Sequence, residues 1–225
     1  MLSCNFLSAA ESTEKTPQPK NDKLDKQLQL NKDALFEGSK EKMRLDAAMV
    51  LLTNSDKRAR QILINALSQK AKPLAAEAVC KSLIEIRAAK EQISNKEDFI
   101  EPLLSILKTE KEELASLSAE ATLIYNYEEI GQKLCDIISD KNSDTNARLN
   151  ALEALKLHPD MRVIFFLIEL LDDSDPIIAD ASQEILKSTG INVVAKDIDS
   201  RKKIINEIKR KGPDEFLRDW LMRQD

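Results

Sequence analysis

Apolar residues recur along this chain at intervals of three and four, the spacing of one face of an α-helix. No stretch alternates strictly enough to read as a strand. Leu24, Leu28 and Leu35 mark the stripe of a first helix that Gly38 ends. A motif then begins that returns about a hundred residues later: "RLDAAMVL" at 44–51 and "RLNALEAL" at 148–155. Aligned on the central alanine, five copies read Arg44–Ala47–Leu51, Ala75–Ala78–Ser82, Ser116–Ala119–Leu123, Arg148–Ala151–Leu155 and Ile178–Ala181–Ile185. The steps between their alanines are 31, 41, 32 and 30 residues. The long step falls in 86–99, read as a lengthened helix and a longer loop.

Each copy is followed by a second periodic stretch, at 58–67, 99–107, 129–138, 162–171 and 200–208. The expected unit is therefore a pair of helices. A period of this size marks a stack of repeats, in which neighbours supply the core that no single unit can bury. Small side chains recur because paired helices of successive units must approach closely. Turn residues agree: Asp175 is placed to cap a helix with Pro176 at its first position, and Ser143 or Asp144 to cap the fourth unit. Pro73 opens the second unit, and Gly190 closes the last first-helix.

These spacings, with the Asp-rich turns before units four and five, resemble the HEAT-repeat α-solenoids, in particular the short-repeat, bilin-lyase-like variety. The resemblance covers roughly residues 40–190 and implies an all-α, α-α superhelix of about five helix pairs with a C-terminal capping helix. The expected organisation is an arm at 1–20, an N-terminal capping helix at 21–40, repeats at 41–198 and C-terminal helices at 199–225. In that last part Phe216, Leu217, Trp220 and Leu221 share one face and read as a cap, with a Trp220-anchored partner helix as the alternative. Arginine is missing from the motif in units two, three and five.

Composition narrows the function classes. With 34 basic and 39 acidic residues the net charge is −5, which argues against nucleic acid as the main partner. Four glycines make neither a phosphate loop nor a dinucleotide fingerprint. Cys4, Cys80 and Cys135 are too scattered for a disulfide framework or a CxxC site, and the latter two read as buried apolar side chains. The lone His158 lies in a turn with no second ligand beside it. Asp140, Asn142 and Asp144 begin like a calcium loop, but Thr145 and Ala151 stand where glycine and a bidentate glutamate belong. Asp172, Asp173 and Asp175 read as capping residues.

No run is long enough to span a bilayer, and the chain reads as cytoplasmic. The small residues Ser8, Ala9 and Ala10, with Cys4 after Met-Leu-Ser, leave an exported or lipid-anchored form as the alternative should the start lie upstream.

The resemblance implies a non-enzymatic scaffold that binds another protein, with no cofactor, no metal and no small-molecule ligand. Because second helices line the concave face in that family, Arg58, Arg60, Glu129, Lys133, Arg162 and Glu169 become candidate contacts. Lys202 and Lys209 join them from "RKKIINEIKRK" at 201–211, whose six bases suit an acidic protein or a nucleic acid. In "VIFFLI", 163–168, a core position is expected for most side chains, with Phe165 or Phe166 the alternative anchor for a partner. A bilin-lyase-like enzyme is the rival reading; it predicts a change in bilin absorption on mixing.

Overall fold

A computed structural model describes residues 19–109, 112–191 and 198–212, together with Glu215, Arg218 and Met222. The expectations for Cys4, for the arm before residue 19 and for the Trp220 cap lie outside the described residues. Among those described there are eleven α-helices and no strand. In chain order they are α1 (Pro19–Glu37), α2 (Glu41–Leu52), α3 (Lys57–Ser68), α4 (Pro73–Ala88), α5 (Ile100–Thr109) and α6 (Glu112–Ala121). There follow α7 (Tyr127–Ser139), α8 (Thr145–Lys156), α9 (Met161–Leu170), α10 (Pro176–Ser188) and α11 (Ile198–Lys211). Short 3-10 turns at 96–99 and 122–124 precede α5 and α7. The connection between α4 and α5 is the long one, as the 41-residue step predicts.

Helices pack in two rows. The even helices stack in sequence, α2 on α4, α4 on α6, α6 on α8 and α8 on α10. Along the other row α1 meets α3, α3 meets α5, and α5 meets α7. The even row can close up because its facing side chains are small. Ala47, Ala48, Ala75, Ala78, Ser82, Ala115, Ser118, Ala119, Ala151 and Ser182 are all buried there. Leu51, Leu83, Leu152, Leu155 and Ile185 fill the remaining seam. The leucines, the isoleucine and all of these alanines but Ala115 belong to one continuous apolar cluster running from Leu28 to Ile191, the arrangement expected when stacking supplies the core.

The register of the third unit differs from the sequence reading. Ser116 is exposed and Leu123 only half-buried; the buried stripe is Ala115, Ser118, Ala119 and Thr122. Two of those four are hydroxyl residues that pattern reading scores as polar. Both are satisfied internally: Ser118 donates to the Leu103 carbonyl at 2.9 Å and Thr122 to the Ala119 carbonyl at 2.6 Å, which removes the cost of burying them. In the last unit Ala181 is half-buried and Ser182 takes the inner place.

The repeated arginine caps the helix before it. The final carbonyls of a helix have no intrahelical partner, and a cation suits the negative end of its dipole. Arg44 Nη1 donates to the Gly38 carbonyl just beyond α1 at 2.8 Å, and Arg148 Nε donates to the Ile138 carbonyl in the last turn of α7 at 2.6 Å. Arg148 goes further. Its Nη2 meets the Asp173 carboxylate at 2.6 Å, with both side chains almost fully enclosed. Lys141 reaches the same oxygen, and the other Asp173 oxygen accepts the Asp175 amide at 2.9 Å. Asp175 caps α10 and accepts from Thr145 at 2.7 Å. One node thus ties the end of α7, the start of α8 and the turn into α10.

Among the described residues no acid pairs with Arg44 in this way. The matching turn carries Gln69, Lys70 and Ala71, and the buried Arg44 Nε has no hydrogen-bond partner. The neighbouring ion pair there has reversed polarity, Glu37 with Lys72 at 2.7 Å.

Burial by itself raises the Asp173 carboxyl, but hydrogen bonds from Arg148 and Lys141 outweigh it and hold the group at about 2. Asp173→Asn leaves a buried guanidinium without its counter-charge and should destabilise the fold by about 3 kcal/mol in urea unfolding. A loss below about 1 kcal/mol would remove the node from its structural role.

Candidate interaction face

The second helices α3, α7 and α9 carry six of the residues that the sequence singles out. Two share one local device. Asp56 caps α3 by accepting the Arg58 amide at 2.8 Å, and the Arg58 guanidinium folds back onto the same carboxylate, with Nη2 at 2.8 Å. Asp160 does the same for α9, accepting the Arg162 amide at 2.8 Å and its guanidinium at 2.8 and 2.7 Å. From this braced position each arginine reaches the preceding helix of its row. Arg58 meets Asp25 of α1 at 2.5 Å, and Arg162 meets Glu128 of α7 at 2.5 Å while lying over the Tyr127 ring, 4.1 Å from its centre.

Further ion pairs complete a ladder. Arg60 of α3 pairs with Asp98 in the turn before α5 at 2.7 Å. Lys133 of α7 pairs with Glu101 of α5 at 2.6 Å. Glu129 is half-buried; with Asn126 it forms the capping box of α7 and it takes Lys96 at 2.8 Å. Five of the six second-helix candidates therefore sit in one connected row of charges from α1 to α9. Glu169, the sixth, is exposed on α9. Hydrogen bonds from Arg58, Arg162 and Lys96 hold Asp56, Asp160, Glu128 and Glu129 below their ordinary range, against the burial that by itself raises Glu129. These four carboxylates stay ionised at neutral pH.

In 163–168, Val163, Ile164, Leu167 and Ile168 are buried and Phe166 is half-buried, the core role expected of them. Phe165 is different: 38% exposed, it lies between Arg162 and Glu169 on the outer stripe of α9. Lys202 is exposed on α11 beside Lys203, with Arg210 exposed further along. Lys209 lies on α11, and its side chain is outside the described residues.

The sequence reading missed the acids Asp25, Asp98, Glu101 and Glu128 and the bases and rings that complete the rungs. The Asp-x-Arg pairs at 56–58 and 160–162 were the available signal, because an acid at the cap and an arginine two residues on are within reach of each other.

Grooves open between neighbouring helices of this row. That between α1 and α3 measures about 620 Å³, and that between α5 and α7, lined by Leu104, Lys108, Asp136 and Ile137, about 250 Å³. A third, of about 460 Å³, lies on the opposite row between α6 and α8. Among the described residues no three potential ligands cluster to hold a metal, and no helix is long and apolar enough to cross a membrane. Burial raises Cys80 to about 12 and Cys135 to about 11, so both stay thiols at neutral pH. Models of known protein families give no match to the chain, and neither do curated proteins.

His158 is buried against the 122–124 turn. The Thr122 hydroxyl spends its proton on the Ala119 carbonyl, so its oxygen accepts from His158 Nε2–H at 3.1 Å. Burial, helped by the charge of Arg87, lowers the imidazole to about 4. A histidine that resists protonation in the folded state contributes stability that is complete above its unfolded value near 6.5. That contribution is lost as pH falls from there towards 4. Unfolding free energy should drop by about 3 kcal/mol over this window, and His158→Gln should flatten the slope. An unchanged slope in the variant would free His158 of this role.

Proposed function

We propose that the protein is a non-enzymatic scaffold of the HEAT-like kind, binding another protein through the face formed by α3, α5, α7 and α9. One observation carries this reading: residues chosen from three separate stretches of sequence meet in a single braced row, with an exposed aromatic side chain at its α9 end.

The chemistry of such a face is recognition. Each surface ion pair is worth only about 0–1 kcal/mol to stability. Their larger effect is to fix long side chains before a partner arrives, lowering the ordering cost that an interface otherwise carries, about 0.5–1.5 kcal/mol for each immobilised side chain. Alternating signs along the row select a partner with the complementary order of charges. Phe165 supplies the apolar contact that polar rims surround in a binding hot spot.

A second reading rests on Lys202, Lys203 and Arg210, exposed together on α11: an acidic partner held there mainly by charge, with affinity falling steeply as salt rises.

Affinity capture of the tagged full-length chain from its native lysate, with nuclease present, followed by cross-linking, tests the first reading. Cross-links are expected on α3, α7 and α9, and Phe165→Ala should weaken the captured complex at least about tenfold, the range of a hot-spot truncation. Links confined to the opposite row would contradict the proposal. Links confined to α11 would favour the second reading.

A further inference from the structure

We infer that the pocket beside the C-terminal end of α4 binds an aliphatic monocarboxylate, a singly charged acid on a hydrocarbon chain. This goes beyond the scaffold reading, does not depend on it, and departs from the expectation of no small-molecule ligand.

The pocket is built by the one long step in the repeat. From Ala78 to Ala119 the step is 41 residues, about ten more than the others. Five of the lining residues come from that excess: Lys90, Glu91, Gln92, Ile93 and Lys96. Stacking does not require them, since steps of 31, 32 and 30 residues stack their units without it. The rest of the wall is Ile86 and Arg87 in the last turn of α4, with Leu123 and Ile124 in the turn before α7. The space measures about 420 Å³, within the range of roughly 300–1,000 Å³ usual for small-molecule sites.

Two helix ends share one hydrogen-bonded cap, and they differ at this pocket. After α10 the Gly190 amide donates to the Lys187 carbonyl at 3.0 Å and the Ile191 amide to the Leu186 carbonyl at 2.8 Å. Glycine takes the left-handed position, φ 86°, and the buried Ile191 covers the helix end. After α4 the Lys90 amide donates to the Arg87 carbonyl at 3.0 Å and the Glu91 amide to the Ile86 carbonyl at 3.1 Å. Here the left-handed residue is Lys90, φ 58°, and the exposed Glu91 follows it. A lysine in that conformation carries a steric cost that glycine avoids. The departure places charge at the mouth of an apolar pocket. The same amides occupy carbonyls of the last turn, which would otherwise repel an anion.

Charge and apolar surface together define the ligand. Ile86 is buried and Ile93, Leu123 and Ile124 are half-buried, an aliphatic lining without an aromatic ring. Of the three bases there, Lys96 is already matched, donating to Glu129 at 2.8 Å and to the Ile124 carbonyl at 3.1 Å. Among the described residues Arg87 and Lys90 make no ion pair, and Glu91 is the only acid in the lining. One positive charge is left over, which one carboxylate balances. The guanidinium of Arg87 has the fork that holds a carboxylate by two parallel hydrogen bonds.

The test uses the untagged full-length chain, whose single histidine is His158. Its ring meets Thr122 at 3.1 Å, directly before the Leu123 and Ile124 wall, so its resonances report occupancy at neutral pH. Sodium octanoate should shift them and bind one per chain in calorimetry. Affinity should rise by up to about fourfold for each methylene added from butanoate to octanoate. Acetate, inorganic phosphate and octyltrimethylammonium should leave the resonances in place. Lys90→Gly and Arg87→Gln should each weaken octanoate about tenfold, the loss expected for a charged hydrogen-bond donor. Lys90→Gly should melt no lower than the parent chain, because glycine suits the left-handed position, so its lost binding is not lost fold. Failure of octanoate to bind at millimolar concentration would overturn the assignment. So would an affinity that ignores chain length, is matched by phosphate or the ammonium compound, or survives both substitutions.

Discussion

Everything in this molecule depends on how closely the even helices can approach. Helices bearing leucine on both facing stripes sit towards the upper end of the 8–10 Å range, and replacing one stripe by Ala and Ser lets the axes come nearer. The α2–α4–α6–α8 stack uses that freedom at each step, with Ala47, Ala78, Ser118 and Ala151 in corresponding places. Close approach brings the start of one unit against the end of the previous helix. Arg44 and Arg148 can then reach a neighbour's terminal carbonyls, and Asp173 can be enclosed by three turns.

Much of this was legible in the sequence, and the failures have physical causes. Alternation of helix pairs, the caps at Asp144 and Asp175 and the closing Gly190 all follow from local chemistry and are found in place. The third unit was misread by one residue because Ser118 and Thr122 are buried. Their cost is removed by carbonyl partners, one of them 15 residues away, and no periodicity records such a bond. The arginines were visible as a repeat, but their unequal surroundings were not: only unit four supplies the acid that completes the node. Arg44 keeps the same carbonyl bond with a buried Nε unpaired.

The outer row shows a related limit. Choosing exposed charges from second helices found one side of most rungs, because helical spacing reveals which residues face outward. It could not find the opposite side, since Asp25 and Glu128 lie 33 and 34 residues from the arginines they meet. Those rungs make the face an ordered surface with fixed signs. The close-packed row and the open, charge-braced row thus divide the work between holding the stack together and presenting a surface.

Urea unfolding of four matched variants, Ala47→Leu, Ala78→Leu, Ala151→Leu and Ala181→Leu, measures the central constraint directly. The first three alanines are almost wholly enclosed between stacked helices, while Ala181 is half-buried in the last of them. Overpacking should cost the first three about 1–3 kcal/mol each and leave Ala181→Leu near zero. Equal losses at all four positions, or no loss at Ala151, would show that the even row is not held by close contact through small residues.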